Sequence, residues 1–393
     1  MNNQAPKTIL LANARVILAD RIAEATSLLI EGGRIARIST SAGAESSKID
    51  AIIDLDSLTL FPGFIDVHIH GAVGVDMLEA KAEGLARVAE FLAGNGLTAW
   101  LPTLVPASPE QYRHAIEAIS GFMNESSSHG ARIIGAHYEG PFVNSEQCGA
   151  LHREYFRTFK TPDDLDALPT IDNQGAVHMM TMAPEIDGGV ELIKELQRRG
   201  WITSIGHTRA TVEVLEQALE AGAHHMTHFM NAMPSFHHRA PGPVGWGLTQ
   251  DEVTCDVIAD GVHLDPSVLK LILRSKGAER ISLISDAIAA TGLGDGEYQV
   301  WGERIQVERG RTQNDSGSIA GSVITMLDAV RMMLALGASE TGVARMASLN
   351  PARLLGIAGD CGSIEEGKRA DLVALDQDGN VRLTIIGGRT LTI

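Results

Sequence analysis

Residues 62–71 read PGFIDVHIHG, and two imidazoles, His68 and His70, stand two apart in an otherwise apolar run. In a strand, residues two apart point to the same face. The pair therefore points together into what reads as a buried surface. Either both rings hydrogen-bond inside a core, or they share a metal ion. The wider pattern decides what kind of surface this is. From Pro62 to about Gly356, short apolar strands alternate with stretches of helical period. Eight strands are readable: GFIDVHIH, LTAWLPTL, RIIGAHYEG, VHMMTMAPE, ITSIGHT, HHMTHFMNA, VTCDVIADG and ISLISDAI.

Helical patterns lie between most of these strands, at AEGLARVAEFLAGNG, PEQYRHAIEAISGFM, GVELIKELQRRG, TVEVLEQALEAGA and PSVLKLILRSKG, with TMLDAVRMMLALG after the eighth. Several open after Ser, Thr, Pro or Asp and stop at Gly, as helix ends require. Eight strand–helix repeats predict an α/β fold, a (β/α)8 TIM-like barrel with its chemistry at the C-terminal ends of the strands. A doubly wound open sheet competes, but no G-x-G-x-x-G opens the first helix.

The two ends differ from this middle. TILLANARVILAD, SLLIEGGRIARIST and AIIDLDSLTLFPG at the start, and ADLVALDQDGNVRLTIIGGRTLTI at the end, alternate like half-buried strands around glycine turns. Each end carries a Gly-Gly-Arg turn, at residues 32–34 and 387–389. The expectation is a small β-sandwich domain built from both termini, residues 1–60 and 357–393, flanking a barrel domain of residues 61–356. NESSSHGA reads as a polar connection and GDGEYQVWGE as a hairpin.

Composition narrows the function. The 393 residues are 44% hydrophobic with a net charge of −17, which disfavours nucleic acid as a partner and means that an anionic ligand needs its own basic groups. No apolar run is long enough for a membrane span, and MNNQAPKTIL does not read as a signal peptide. Cys148, Cys255 and Cys361 are scattered, which suits a reducing compartment, and the expected location is cytoplasmic.

The polar residues at strand ends are His68 and His70 on strand one, Glu139 on three, His207 on five, His228 on six and Asp286 on eight. Four imidazoles and two carboxylates from separate strands form the nitrogen and oxygen donor set of Zn²⁺ and related divalent metals. Core filling explains one such residue and not six. The remaining histidines receive the ordinary reading: His114 on a helix, His129 in a polar loop, His178 as a strand start, and His224, His225, His237 and His238 as supporting, solvent or loop residues. His137 shares a face with Glu139, and a supporting role there stays open. A divalent ion with an open position activates water, and an Asp beside it can carry the proton, which suits hydrolysis of an amide.

At this point a resemblance appears. His-x-His on strand one, His on five and six, and Asp on eight are similar to the amidohydrolase superfamily. Many members bridge two metals with a carboxylated lysine on strand four; strand four here has no lysine, and Glu139 on strand three looks like its substitute. That pattern resembles the N-acetylglucosamine-6-phosphate deacetylase family, as do YEGPFVN, IGHT, THFMNAM, HHRAPGPVG, SDAIAATGLGDGEY, GSIAGS, MASLNPARLLGI and GKRADLVALD.

The resemblance implies that Glu139, His207 and His228 hold the main divalent metal, expected to be Zn²⁺. His68 and His70 match a second site that only some members keep, so one or two ions per chain are expected. Asp286 matches the catalytic acid/base. Asn231 and Ala232 match a loop whose backbone approaches the sugar phosphate, His263 matches a substrate-contacting histidine, and Arg239 matches an arginine that pairs with the phosphate. The family also implies a homodimer acting on a phosphorylated N-acetyl amino sugar.

Two departures lie near the sugar. His152, in CGALH, sits one residue later than the family's substrate-contacting histidine, and Ala240 replaces an acidic residue. Other N-acyl amino sugars, other amides, and a barrel kept only as a scaffold remain as alternatives.

Overall fold

A computed structural model of the chain describes residues 7–39, 49–125 and 130–392; residues 126–129 of the NESSSHGA connection, His129 among them, lie outside these. The eight expected strands are present as β1 (Phe64–Ile69), β2 (Leu97–Leu104), β3 (Gly135–Glu139), β4 (Val177–Met182), β5 (Ile202–Ile205), β6 (His225–Met226), β7 (Thr254–Ile258) and β8 (Ile281–Ile284). All neighbours pair in parallel, in sequence order. The ring closes between β8 and β1, where the Asp286 amide donates to the His68 carbonyl (3.0 Å) and the His70 amide to the Ala287 carbonyl (2.8 Å). The closing bonds thus involve the backbone of the residues read as functional.

The helices follow the sequence signals. Ser108 caps Pro109–Asn124 in a capping box with Gln111, Asp265 caps Pro266–Lys276, and Thr325 pairs with Asp328 at the start of Met326–Ala335. The helix Gly242–Thr249 is not legible in the sequence because GPVGWGLT is poor in helix formers. Packing explains two of its glycines, Gly245 and Gly247. A Cβ on Gly247 would lie 2.5 Å from the Phe229 ring and 2.6 Å from the Met226 sulfur. The helix forms because tertiary contact overrides propensity. Between β3 and β4 there is no α-helix among the described residues, only short 3-10 turns in a long loop.

Both termini contribute to one eight-stranded sheet. Thr59–Pro62 pairs antiparallel with Leu372–Leu375, joining the ends of the chain beside the entry to β1. Leu11, Leu28, Ile30, Leu60, Leu372 and Ile385 share one buried cluster. The two Gly-Gly-Arg turns touch. A Cβ on Gly33 would lie 2.6 Å from the Gly387 carbonyl oxygen, and one on Gly388 would lie 2.7 Å from the Gly33 Cα. No side chain fits between them. After β8, Gly296–Val300, Glu303–Glu308 and Arg311–Asn314 form a three-stranded antiparallel sheet, so GDGEYQVWGE is a hairpin as expected.

Gly33→Ala should lower the apparent melting temperature by several degrees, since it combines positive-φ strain (φ +82°) with collision against backbone. Gly32→Ala, at φ +56° with no heavy atom within 4 Å, should cost only about 1 kcal/mol. Equal losses in thermal unfolding would mean that the two turns do not meet.

Candidate functional site

The six strand-end residues converge. Glu139 Oε1 lies 2.9 Å from His207 Nε2 and 2.9 Å from His228 Nε2, and these two nitrogens are 3.1 Å apart. On the other side, His68 Nε2 and His70 Nε2 are 3.1 Å apart, with Glu139 Oε1 3.6 Å from the first and Oε2 3.3 Å from the second. Asp286 Oδ1 is 3.4 Å from His68 Nε2 and 3.1 Å from His70 Nε2. Glu139 is thus shared between two histidine pairs, each completing a three-residue group. All six residues are buried.

The backbone at these positions is strained. His207 (φ +47°), His228 (φ +29°) and Asp286 (φ +52°) occupy the left-handed region, which costs a non-glycine residue of order 1 kcal/mol or more. Buried carboxylates brace this backbone from below. Asp66 accepts from the amides of His68 and Ser285, both at 3.1 Å, and ties β1 to the end of β8. Asp256 on β7 accepts from the His228 amide and lies 3.1 Å from His225 Nε2. Burial raises the Asp66 carboxyl to about 7, partly offset by those hydrogen bonds.

The donor chemistry fits a divalent cation. His207 Nδ1–H donates to the Gln147 carbonyl (2.7 Å) and His70 Nδ1–H to the Thr103 carbonyl (3.2 Å). Each bond fixes the tautomer and turns the Nε2 lone pair inward. A lone pair then faces a carboxylate oxygen at about 3 Å, and only positive charge between them makes that arrangement stable. Protons are one source. Burial pushes His70 down, but hydrogen bonds to Asp286 and Glu139 outweigh it and raise the ring to about 10. Burial likewise pushes His228 down, but the hydrogen bond to Glu139 and the Glu139 charge outweigh it and raise the ring to about 8. Burial would raise Glu139, yet the charge of His68 and hydrogen bonds from His207 and His228 hold it well below the usual range. A divalent ion is the other source. Donors at about 2.0–2.1 Å from a tetrahedral ion lie about 3.3 Å apart, as these do.

Of the residues expected near a substrate, Asn231, Ala232 and His263 line the same cavity of about 160 Å³ as the cluster. His263 is held by Asp260, whose Oδ2 is 2.7 Å from Nδ1. His152 and Arg239 are outside the lining. His152 Nε2–H donates to the Trp301 carbonyl (2.9 Å), and Arg239 is exposed and donates to His238 Nε2 (2.8 Å). His137 bonds the Val67 carbonyl and Thr181 and packs edge-on against His68, with ring centroids 4.7 Å apart. Burial beside His68 pushes it well below the usual imidazole range, so it supports the site as a neutral ring.

Sequence reasoning missed Asp66, Asp256 and Trp301. A carboxylate set inside an apolar run, Asp66 in GFIDVHIH and Asp256 in VTCDVI, was the available signal for the first two. Trp301 had none beyond its place in a hairpin turn.

Comparison with known proteins gives a consistent picture. Residues 59–391 match the model of the amidohydrolase family. The chain is 36% identical to the N-acetylglucosamine-6-phosphate deacetylase of Bacillus subtilis, over 97% of this chain and 96% of that protein. It is also 36% identical to the N-acetylgalactosamine-6-phosphate deacetylase of Escherichia coli O157:H7, over 86% and 89%. Among solved structures, N-acetylglucosamine-6-phosphate deacetylase from Pasteurella multocida superposes with a TM-score of 0.90 at 29% identity, over 98% of this chain and all of that one. A mutant Mycobacterium smegmatis enzyme of the same name, in complex with N-acetyl-D-glucosamine-6-phosphate, superposes with a TM-score of 0.88 at 32% identity, over 98% and 100%.

Because Glu139 belongs to both histidine groups, Glu139→Gln should abolish tight retention of divalent metal after dialysis against a chelator and reloading. His68→Ala should leave an ion held by the other group. Metal analysis of the purified variants checks both. Full metal content in Glu139→Gln would refute the shared-ligand geometry.

Proposed function

The chain belongs to the amidohydrolase family, in its N-acetylglucosamine-6-phosphate deacetylase branch, and we propose that it hydrolyses the acetamide of N-acetylglucosamine-6-phosphate to acetate and glucosamine-6-phosphate. The observation that supports this most directly is the pairing of carboxylates at the cluster. Among the described residues lining the cavity, Glu139 and Asp286 are the only two carboxylates. Glu139 is enclosed by histidine nitrogens and serves as a ligand. Asp286, on the end of the last strand, is left for proton transfer.

A divalent cation held by Glu139, His207 and His228, with His68 and His70 for a second, would supply the positive charge that acidifies a water and polarises the amide carbonyl. Zinc suits the nitrogen and oxygen donors. Asp286 takes the proton of the attacking water and delivers it to the amide nitrogen as the C–N bond breaks, because an unprotonated amine anion is too poor a leaving group. Burial would raise the Asp286 carboxyl, but the charge of His68 and the hydrogen bond from His70 keep it below its usual value, so it begins the cycle as a base. Asn231, Ala232 and His263 hold the sugar phosphate at the mouth, and the exposed Arg239 supplies the charge-assisted pair to the phosphate that this acidic chain requires. The working form is a homodimer, as the family resemblance implies, in the cytoplasm that the scattered cysteines suit, and sedimentation decides its size.

The galacto epimer is the second reading. It is favoured by the E. coli relative, which matches at the same 36% identity. Acetate release from the two epimers, each with and without phosphate, separates the cases. Activity on neither phosphorylated epimer contradicts the proposal. Asp286→Asn should keep substrate affinity and metal while kcat falls by roughly 10²-fold or more; a kcat within a few-fold of the parent removes Asp286 from the mechanism. Arg239→Ala should raise KM for the phosphorylated substrate about 30-fold, the equivalent of about 2 kcal/mol, and leave the unphosphorylated sugar unaffected.

A further inference from the structure

Trp301 sits where its backbone does not favour it. Val300 pairs with Glu303, so the hairpin reverses through two residues, Trp301 (φ +54°) and Gly302 (φ +77°). Such turns require positive φ at both positions and favour Asn-Gly or Asp-Gly. A bulky aromatic in the left-handed region persists only where its surroundings hold it, and such strain gathers at functional positions.

Three contacts hold this one. The indole meets the His70 ring edge-on, with centroids 5.0 Å apart and planes at 83°. The Trp301 carbonyl accepts from His152 Nε2–H at 2.9 Å. Beneath the turn, Val300, Ile305, Val307 and Ile288 form a small buried cluster, against which Trp301 and Ala150 both pack. The hairpin after β8 and the loop after β3 are therefore clasped together beside the cluster.

The clasp limits the space at the reacting centre. The cavity of about 160 Å³ has apolar lining from Trp301, Leu151, Ala150, Ile258 and Ile319. Small-molecule pockets commonly run to roughly 300–1,000 Å³, so this one admits only a small group beside the carboxylates. Its sidedness indicates which group. Asn231, Ala232 and His263 follow β6 and β7, on one side of β8, whereas His70 and Trp301 lie on the β1 side. An amide centred between them places its amine substituent toward the former and its acyl substituent toward the latter.

We propose that Trp301 roofs the acyl pocket and sets the length of N-acyl group the site hydrolyses, with His152 as the positioning residue that holds it there. The inference rests on the amide-hydrolase reading above. It also accounts for the displaced histidine of CGALH, since His152 grips the roof instead of lining the cavity. One methylene in a tight apolar pocket is worth about 10–200-fold in kcat/KM. The parent should therefore prefer N-acetyl over N-butyryl glucosamine-6-phosphate by at least about 100-fold.

Trp301→Asn and Trp301→Gly both suit the turn and remove the indole. Each should shrink that preference at least tenfold, by raising kcat/KM on the butyryl substrate, with metal content unchanged. His152→Ala should shift the ratio in the same direction, and His152→Gln, which keeps a donor, should restore it. An unaltered acyl preference in folded, metal-replete Trp301→Asn and Trp301→Gly, or an equal loss on every acyl length, overturns the proposal. A parent inactive on the whole series, with either sugar epimer, overturns the deacetylase reading and this inference with it.

Discussion

One carboxylate, Glu139, lies within 3.6 Å of four imidazole nitrogens, and much of the barrel is organised to make that possible. Burying one charge is costly, and burying several demands compensation from all sides. The compensation is distributed around the ring. Strands one, five and six each present histidine nitrogens, and backbone carbonyls at Thr103 and Gln147 orient two of the rings. Asp66 and Asp256 grip the amides behind His68 and His228. The strained backbone at His207, His228 and Asp286 is the local cost, and the surrounding parallel ladder is what sustains it.

The same logic explains what was legible in the sequence. Strands that are buried on both faces read as apolar runs, so polar residues at their ends stood out, and the six cluster residues could be located by strand counting. The touching Gly-Gly-Arg turns were visible because only glycine tolerates both positive φ and backbone contact there. The illegible parts depend on contacts between distant segments. Gly242–Thr249 is a helix despite its glycines, and at Gly247 Phe229 and Met226 leave no room for a side chain, which no local propensity shows. Trp301 reaches the site because a hairpin folds back over β1, and a turn residue carries no sign of what it faces. For His152 and Arg239 the only sequence signal is likeness to a motif. The chain puts the first on the Trp301 carbonyl and leaves the second exposed, outside the cavity.

Composition and site also fit together. A chain of net charge −17 repels anions at long range, so selectivity for a phosphorylated sugar must come from few, close groups. The cluster itself is rich in imidazole nitrogens, and the only two carboxylates among the described residues of the cavity lining are drawn down by histidines. Positive character is concentrated at the reacting centre of a chain that is acidic overall.

The central claim is that the two histidine pairs around Glu139 are ligands to metal and not a hydrogen-bonded core. Anomalous diffraction at the zinc edge, from crystals of the zinc-loaded protein, tests it directly. A peak within about 2.0–2.2 Å of Glu139 Oε1, His207 Nε2 and His228 Nε2 is the predicted result. An ordered cluster with no anomalous signal, its nitrogens still about 3 Å from the carboxylates, would contradict it.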